Sequence, residues 1–139
     1  MSTEPLGTTD KNVLQSQVRS ARGLALLVDD EDLVRLSTAD MLIDLGFQVI
    51  EAASAEEALK MIVDGTAHDL LVTDHLMPGL NGVDLAREAM RLQPALPVLI
   101  VSGYAEMEGL APDLARLTKP FRNAELTASL AALLPSSSE

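Results

Sequence analysis

The sequence predicts a doubly wound α/β fold, a five-stranded parallel sheet with helices on both faces, over residues 23–134. Three observations carry that prediction. Short runs such as Leu24–Val28, Leu70–Thr73 and Val98–Val101 are continuously apolar, as strands covered on both faces must be. Segments with helical spacing stand between them. Turn formers, among them Gly46, Gly65, Pro94 and Pro97, separate the two kinds of segment.

The elements follow in order. After Leu24–Val28, the stretch Glu31 to Leu45 places Val34, Met41, Leu42 and Leu45 on one helical face, and Gly46 stops it. Gln48–Ala52 is a short second strand. Ser54-Ala-Glu-Glu57 then forms a capping box, the Ser hydroxyl accepting from an early helix N–H while Glu57 reaches back. Ala58, Leu59 and Ile62 line that helix, and Gly65 ends it. Leu70–Thr73 is the third strand. Beyond Met77-Pro-Gly-Leu-Asn-Gly82 a helix runs to about Gln93 with Leu85, Ala89 and Leu92 inward. Val98–Val101 is the fourth strand, and a fifth ends near Leu117-Thr118. Asn123 is read as the cap of a last helix bearing Leu126, Leu130 and Leu133. Residues 1–22 read as a polar leader or interdomain linker and 135–139 as a disordered tail.

Composition narrows the function. The core must be aliphatic, because Phe47, Tyr104 and Phe121 are the whole aromatic content. A net charge of −11 argues against direct nucleic-acid binding, which needs clustered Lys and Arg, and against an anionic membrane surface. With no cysteine, disulfides, thiolate catalysis and zinc–cysteine sites are excluded. No apolar run has the length of a membrane span and no secretory pattern opens the chain, so the cytoplasm is the expected compartment.

Right-handed crossovers put every strand's carboxyl end on one edge of a parallel sheet, where ligands of such folds bind. Asp29 and Asp30 follow the first strand, Asp74 the third, Ser102 the fourth and Lys119 the fifth. Two carboxylates about 4 Å apart repel by roughly 4 kcal/mol at an effective dielectric near 20. Three together require a counter-charge, and a hard dication such as Mg²⁺ takes carboxylate oxygens while keeping waters. Alone, Asp29 or Asp30 would read as a helix cap; as a set at strand ends they read as a metal site. Asp74, the lone carboxylate of its strand, is the candidate nucleophile for a phosphoryl group. Lys119 would place an ammonium on the phosphate oxygens, and Ser102 would donate to one of them. The Lys119-Pro120 peptide, rigid and open to the cis isomer, fixes the lysine's direction. Pro78-Gly79 bends the following loop over the pocket. Met77 reads as a hydrophobic plug, His75 as a rim residue and His68 as a surface residue.

Four motifs, Val28-Asp-Asp-Glu31, Thr73-Asp-His-Leu-Met-Pro-Gly-Leu-Asn-Gly82, Val101-Ser-Gly103 and Thr118-Lys-Pro-Phe121, together resemble the receiver domain of two-component response regulators, the CheY-like type. The resemblance runs from about Leu24 to Leu134. It implies a flavodoxin-like sheet in the order 2-1-3-4-5, with Asp74 as phosphoacceptor. It also implies Mg²⁺ held by Asp30, Asp74 and the backbone carbonyl of Leu76, with Asp29 acting mostly through a water. Ser102 would be the switch hydroxyl and Lys119 a phosphoryl contact. The partner would be a histidine kinase or histidine phosphotransfer protein, and the chain would be a phosphoacceptor rather than a turnover enzyme. It would be either a stand-alone receiver or the receiver of a hybrid sensor kinase.

Two departures from that family stand out. Arg116 occupies the position where the family often carries a switch aromatic, so an inward-swinging Tyr or Phe there cannot be the output. The stretch between Ser102 and Lys119 is short and broken by Gly103, Gly109 and Pro112, which predicts a short, irregular or missing fourth helix. Ser102-Gly-Tyr-Ala105 resembles a receiver subgroup with a mobile segment here, and Tyr104 is a candidate replacement for the moving aromatic. Two other functions fit the same fold. A haloacid-dehalogenase-type phosphohydrolase needs an acid two residues after its nucleophile, where Leu76 stands. A flavin-binding module needs a phosphate loop after the first strand, where Asp-Asp-Glu-Asp would repel the phosphate.

Overall fold

A computed structural model describes residues 22–65, 68–103 and 113–134. The chain runs β1 (Leu24–Val28), α1 (Asp32–Asp44), β2 (Gln48–Ala52), α2 (Ala55–Val63), β3 (Leu70–Asp74), α3 (Gly82–Leu92), β4 (Val98–Gly103), β5 (Ala115–Lys119) and α4 (Asn123–Leu133). The five strands form one sheet in the order β2-β1-β3-β4-β5, every neighbouring pair parallel. Order and direction are as the motifs implied. The reading of the fourth helix, with Tyr104, Gly109 and Pro112, falls outside the described residues, as do the tail and the leader up to residue 21.

Alternate residues of the central strands feed two cores, as a pleat demands. Leu26, Val28, Leu71, Val98 and Ile100 pack on one face with Ala55, Ala58 and Ile62 of α2 and Leu85, Ala86 and Ala89 of α3. Ala25, Leu27, Leu70, Val72, Leu99 and Val101 pack on the other with Ala39 and Leu42 of α1 and Leu126 and Leu130 of α4. Each fully buried Leu contributes about 1.5–3 kcal/mol of transfer free energy, so this two-sided core holds the strand ends in place.

Several local readings need correction. In α1 Leu42 is buried and Met41 and Leu45 pack half-buried against the same core, as the spacing predicted, but the face also buries Thr38 and Ala39, which the spacing did not show. Leu92 is exposed rather than inward, because α3 is ending as it leaves the sheet. Arg122, not Asn123, is the N-cap of α4; its backbone N–H donates to the Glu125 carboxylate at 2.6 Å. The Ser54 box forms, with Ser54 Oγ accepting from the Glu57 N–H at 3.0 Å, but Glu57 accepts from Ala53, one residue before the cap. His68 is buried, not on the surface: it lies against Gln93 and the Pro94–Pro97 turn that enters β4.

Candidate functional site

Register sets the site. Val28 pairs with Ala52 and Thr73, Asp74 with Val101, and Ser102 with Thr118, so the carboxyl ends of β1, β3, β4 and β5 finish side by side. One carboxylate oxygen from each of Asp29, Asp30 and Asp74 lies within 4.8 Å of the others. Asp29 and Asp74 are buried, at 5% and 6% exposure, while Asp30 faces solvent. Lys119 Nζ reaches Asp74 Oδ1 at 2.8 Å. Ser102 is wholly buried at its strand end. The sequence-predicted acids and lysine are therefore brought together, and the serine stands one strand away from Asp74. Leu76 follows on the exposed loop.

Local bonds explain why the acids converge. The Asp29 N–H continues the β1–β2 ladder by donating to the Ala52 carbonyl at 3.1 Å. The Glu31 N–H donates to Asp29 Oδ1 at 2.9 Å, turning that side chain back toward the loop. After β3, the His75 N–H donates to the Val101 carbonyl at 2.9 Å, keeping Asp74 against β4. The Lys119-Pro120 peptide is cis.

The loop over the pocket is anchored on both sides. Met77 plugs the α2–α3 core, as predicted. The Leu80 N–H donates to the Glu56 carboxylate at 2.9 Å, and Gly79 has φ +82°, a conformation that glycine adopts without strain. Asn81 caps α3 by accepting from the Asp84 N–H at 2.8 Å, and the Gly82 N–H returns to the His75 carbonyl at 2.8 Å. This loop doubles back so tightly that a Cβ on Gly82 would sit 2.0 Å from the Asp74 carbonyl oxygen. In the sequence Gly82 stands out only as the last residue of the Thr73–Gly82 motif. Its steric role depends on a carbonyl eight residues back and carries no local signal beyond the residue being glycine.

The electrostatics favour a cation. Burial, then the fields of Asp74 and Asp30, push the Asp29 carboxyl above the ordinary aspartate range, against the lowering by the Glu31 N–H and Lys119. Burial works against the Lys119 charge, but the Asp74 hydrogen bond and the fields of Asp74, Asp29 and Glu31 outweigh it and hold its proton more tightly than usual. Among the described residues, three carboxylates and one ammonium meet at this edge, a set of oxygen donors with net negative charge. A hard dication of the Mg²⁺ kind matches both that charge and that donor set.

Beside the acids, Leu33, Val34, Ser37, Thr38, Met41, Lys119, Pro120 and Phe121 line an open groove of about 330 Å³. Leu33 at its edge is 81% exposed. Among the described residues no helix is long and apolar enough to cross a membrane.

Comparison with known proteins agrees with this geometry. Residues 25–131 match the response regulator receiver domain family. The sensor kinase CckA of Brucella abortus is 34% identical over 137 residues, covering 94% of this chain and 14% of that protein. A response regulator receiver protein of Sinorhizobium medicae superimposes with a TM-score of 0.72 at 34% identity, covering 78% of this chain and 91% of the other. The response regulator TrrA of Thermotoga maritima, solved with Mg²⁺ and BeF, gives 0.69 at 29% identity, covering 80% and 98%. The chain spans between 14% and about half the length of the curated relatives it matches first.

Proposed function

This chain belongs to the response regulator receiver domain family of two-component systems, and from that premise we propose that Asp74 is its phosphoacceptor. The phosphoryl group comes from a phosphohistidine on a histidine kinase or histidine phosphotransfer protein. An Asp74 carboxylate oxygen attacks phosphorus as the P–N bond breaks, and the imidazole nitrogen leaves with that electron pair. Lys119, already at 2.8 Å from Asp74, meets the charge on the phosphoryl oxygens, and the buried Ser102 hydroxyl is the switch donor. Asp29, Asp30 and Asp74, with the Leu76 carbonyl, would hold Mg²⁺. That ion, when bound, supplies the positive charge that lets a phosphoryl dianion approach an acidic site. Water attack at phosphorus later restores the Asp74 carboxylate and releases inorganic phosphate, so the chain turns over only its own modification.

The observation that carries this reading is the convergence of the three aspartates, with Lys119 bonded to the one that lies on the central strand. The apolar groove beside Lys119, with Leu33 projecting from its edge, supports docking of the phosphodonor's helices next to the acceptor. The added phosphoryl charge biases a pre-existing equilibrium of the β4–β5 region through Ser102 and Lys119. Arg116 faces solvent on β5, which supports an output other than an aromatic side chain turning inward there. A cytoplasmic location and the absence of direct nucleic-acid contact belong to the same proposal, resting on the family and on the net charge of −11.

Acetyl phosphate with Mg²⁺ tests the reading. One phosphate per chain in the wild type and none in Asp74→Asn is the expected result. Continuous release of many phosphates per chain would mark a phosphohydrolase instead.

A further inference from the structure

One part-buried cation is tied to the acidic pocket without entering it. Arg35, on the first turns of α1, has a side chain only 14% exposed. Its guanidinium reaches three acceptors on three pieces of chain. Nη1 donates to the Asp29 backbone carbonyl at 2.7 Å, Nε to Glu51 Oε1 on β2 at 2.9 Å, and Nη2 to Asp32 Oδ1 at 2.8 Å.

The Asp29 carbonyl belongs to the peptide joining Asp29 to Asp30. Fixing its direction fixes that peptide plane, and the plane sets how the two neighbouring carboxylates are presented toward Asp74. Among the described residues this loop is also supported by the Asp29 N–H on the Ala52 carbonyl, the Glu31 N–H on Asp29 Oδ1 and the Arg35 N–H on the Glu31 carbonyl. The Arg35 side chain adds a constraint on the Asp29 carbonyl itself and braces it against the end of β2 through Glu51. Glu51 and Asp32 both pair with the guanidinium. A lysine would do this only in part, since an ammonium lacks the planar fork that spans three divergent acceptors.

We propose that Arg35 is a positioning residue for the cation site, holding the Asp29–Asp30 peptide in the orientation that lets both acids join Asp74. The inference rests on the reading of that cluster as a Mg²⁺ site, and the experiment separates the two.

The full 139-residue chain is titrated with Mn²⁺, followed by water-proton relaxation, with Mg²⁺ as competitor and no phosphodonor present. Outer partners that orient metal ligands typically change affinity by about 10–100-fold, so Arg35→Ala is expected to weaken Mn²⁺ and Mg²⁺ by at least about tenfold. Glu51→Gln keeps an acceptor oxygen for Nε and is expected to stay within about threefold of the wild type, with Arg35→Lys falling between the two. Each titration is made where circular dichroism shows the variant folded, so that a loss of stability is not read as a loss of affinity. Should Arg35→Ala not fold, Arg35→Lys decides. A folded Arg35 variant that binds both ions as tightly as the wild type overturns the positioning role. A wild type whose Mn²⁺ binding is untouched by Asp30→Asn overturns the metal reading itself, and this inference with it.

Discussion

Replacing Gly82 by alanine puts a single methyl group against the backbone of the phosphoacceptor. The new carbon would lie 2.0 Å from the Asp74 carbonyl oxygen, 3.0 Å from the Asp74 carbonyl carbon and 3.1 Å from the His75 Cα. Non-bonded carbon contacts are comfortable at about 3.5–4.0 Å, so the two backbones must separate by more than about 1 Å. Neither can yield easily: Asp74 is the last residue of a central strand, and Gly82 is tied to the His75 carbonyl at 2.8 Å. Overpacking of this kind costs about 1–3 kcal/mol, offset by up to about 1 kcal/mol from alanine's better helix propensity. The functional cost should be larger in proportion, because a misplacement of about 1 Å can slow a positioned reaction by about 100-fold. Initial rates of phosphorylation by acetyl phosphate and urea unfolding of the same preparations measure both. A useful control is Gly65→Ala, where φ is +98° but nothing lies within 4 Å of the new carbon. It should lose roughly 1 kcal/mol of stability and keep its phosphorylation rate. A Gly82→Ala variant that phosphorylates within about threefold of the wild type would refute this steric role.

Further outcomes follow from the buried charges. Because the folded-state Asp29 carboxyl lies above its unfolded value, the folded form binds the extra proton. The metal-free protein should therefore gain stability from Asp29 as pH falls from 7 through the raised pKa toward the unfolded value near 4, a contribution absent from Asp29→Asn in paired urea titrations. His68 acts with the opposite sign: burial lowers its pKa, and neither ring nitrogen finds a hydrogen-bond partner among the described residues. Its contribution is present above the unfolded value near 6.5 and lost as pH falls through the lowered one, so His68→Leu should gain about 1 kcal/mol at pH 7.5 and more at pH 5.5. Mg²⁺ at 100 times its dissociation constant should stabilise the chain by about 2.7 kcal/mol, read as a rise in Tm that chelation reverses and Asp30→Asn abolishes. Lys119→Met leaves Asp74 buried without its ammonium. It should lower metal-free stability by on the order of 1–3 kcal/mol, less than for a fully buried pair because Lys119 is partly exposed, and slow phosphorylation.

What the sequence disclosed and what it withheld divide along a physical line. Strands covered on both faces must be apolar throughout, so β1, β3 and β4 were legible with the acids that end them. Parallel crossovers then dictated that those acids share one edge. The inner face of α1 was legible in part: the spacing picked out Val34, Met41, Leu42 and Leu45, which are buried or half-buried, over Leu33, Leu36 and Ile43, which are exposed, but it did not show that Thr38 and Ala39 are buried too. Their burial is decided by the sheet that α1 packs on, not by the helix's own pattern. His68 was misread for the same reason: its neighbour Asp69 is exposed, and its burial comes from a turn about 25 residues further along the chain. The demands on Gly82 and Arg35 arise from single backbone carbonyls, which no pattern of side chains reports.

The central claim is that Asp74, and neither of its acidic neighbours, carries the phosphoryl group. Borohydride reduces an aspartyl phosphate to homoserine, so phosphorylated protein treated with it and digested for peptide mass spectrometry marks the acceptor. The account predicts homoserine at position 74 alone, dependent on Mg²⁺ and absent without phosphodonor. Homoserine at position 29 or 30, or none anywhere in a chain that has taken up phosphate, would contradict it.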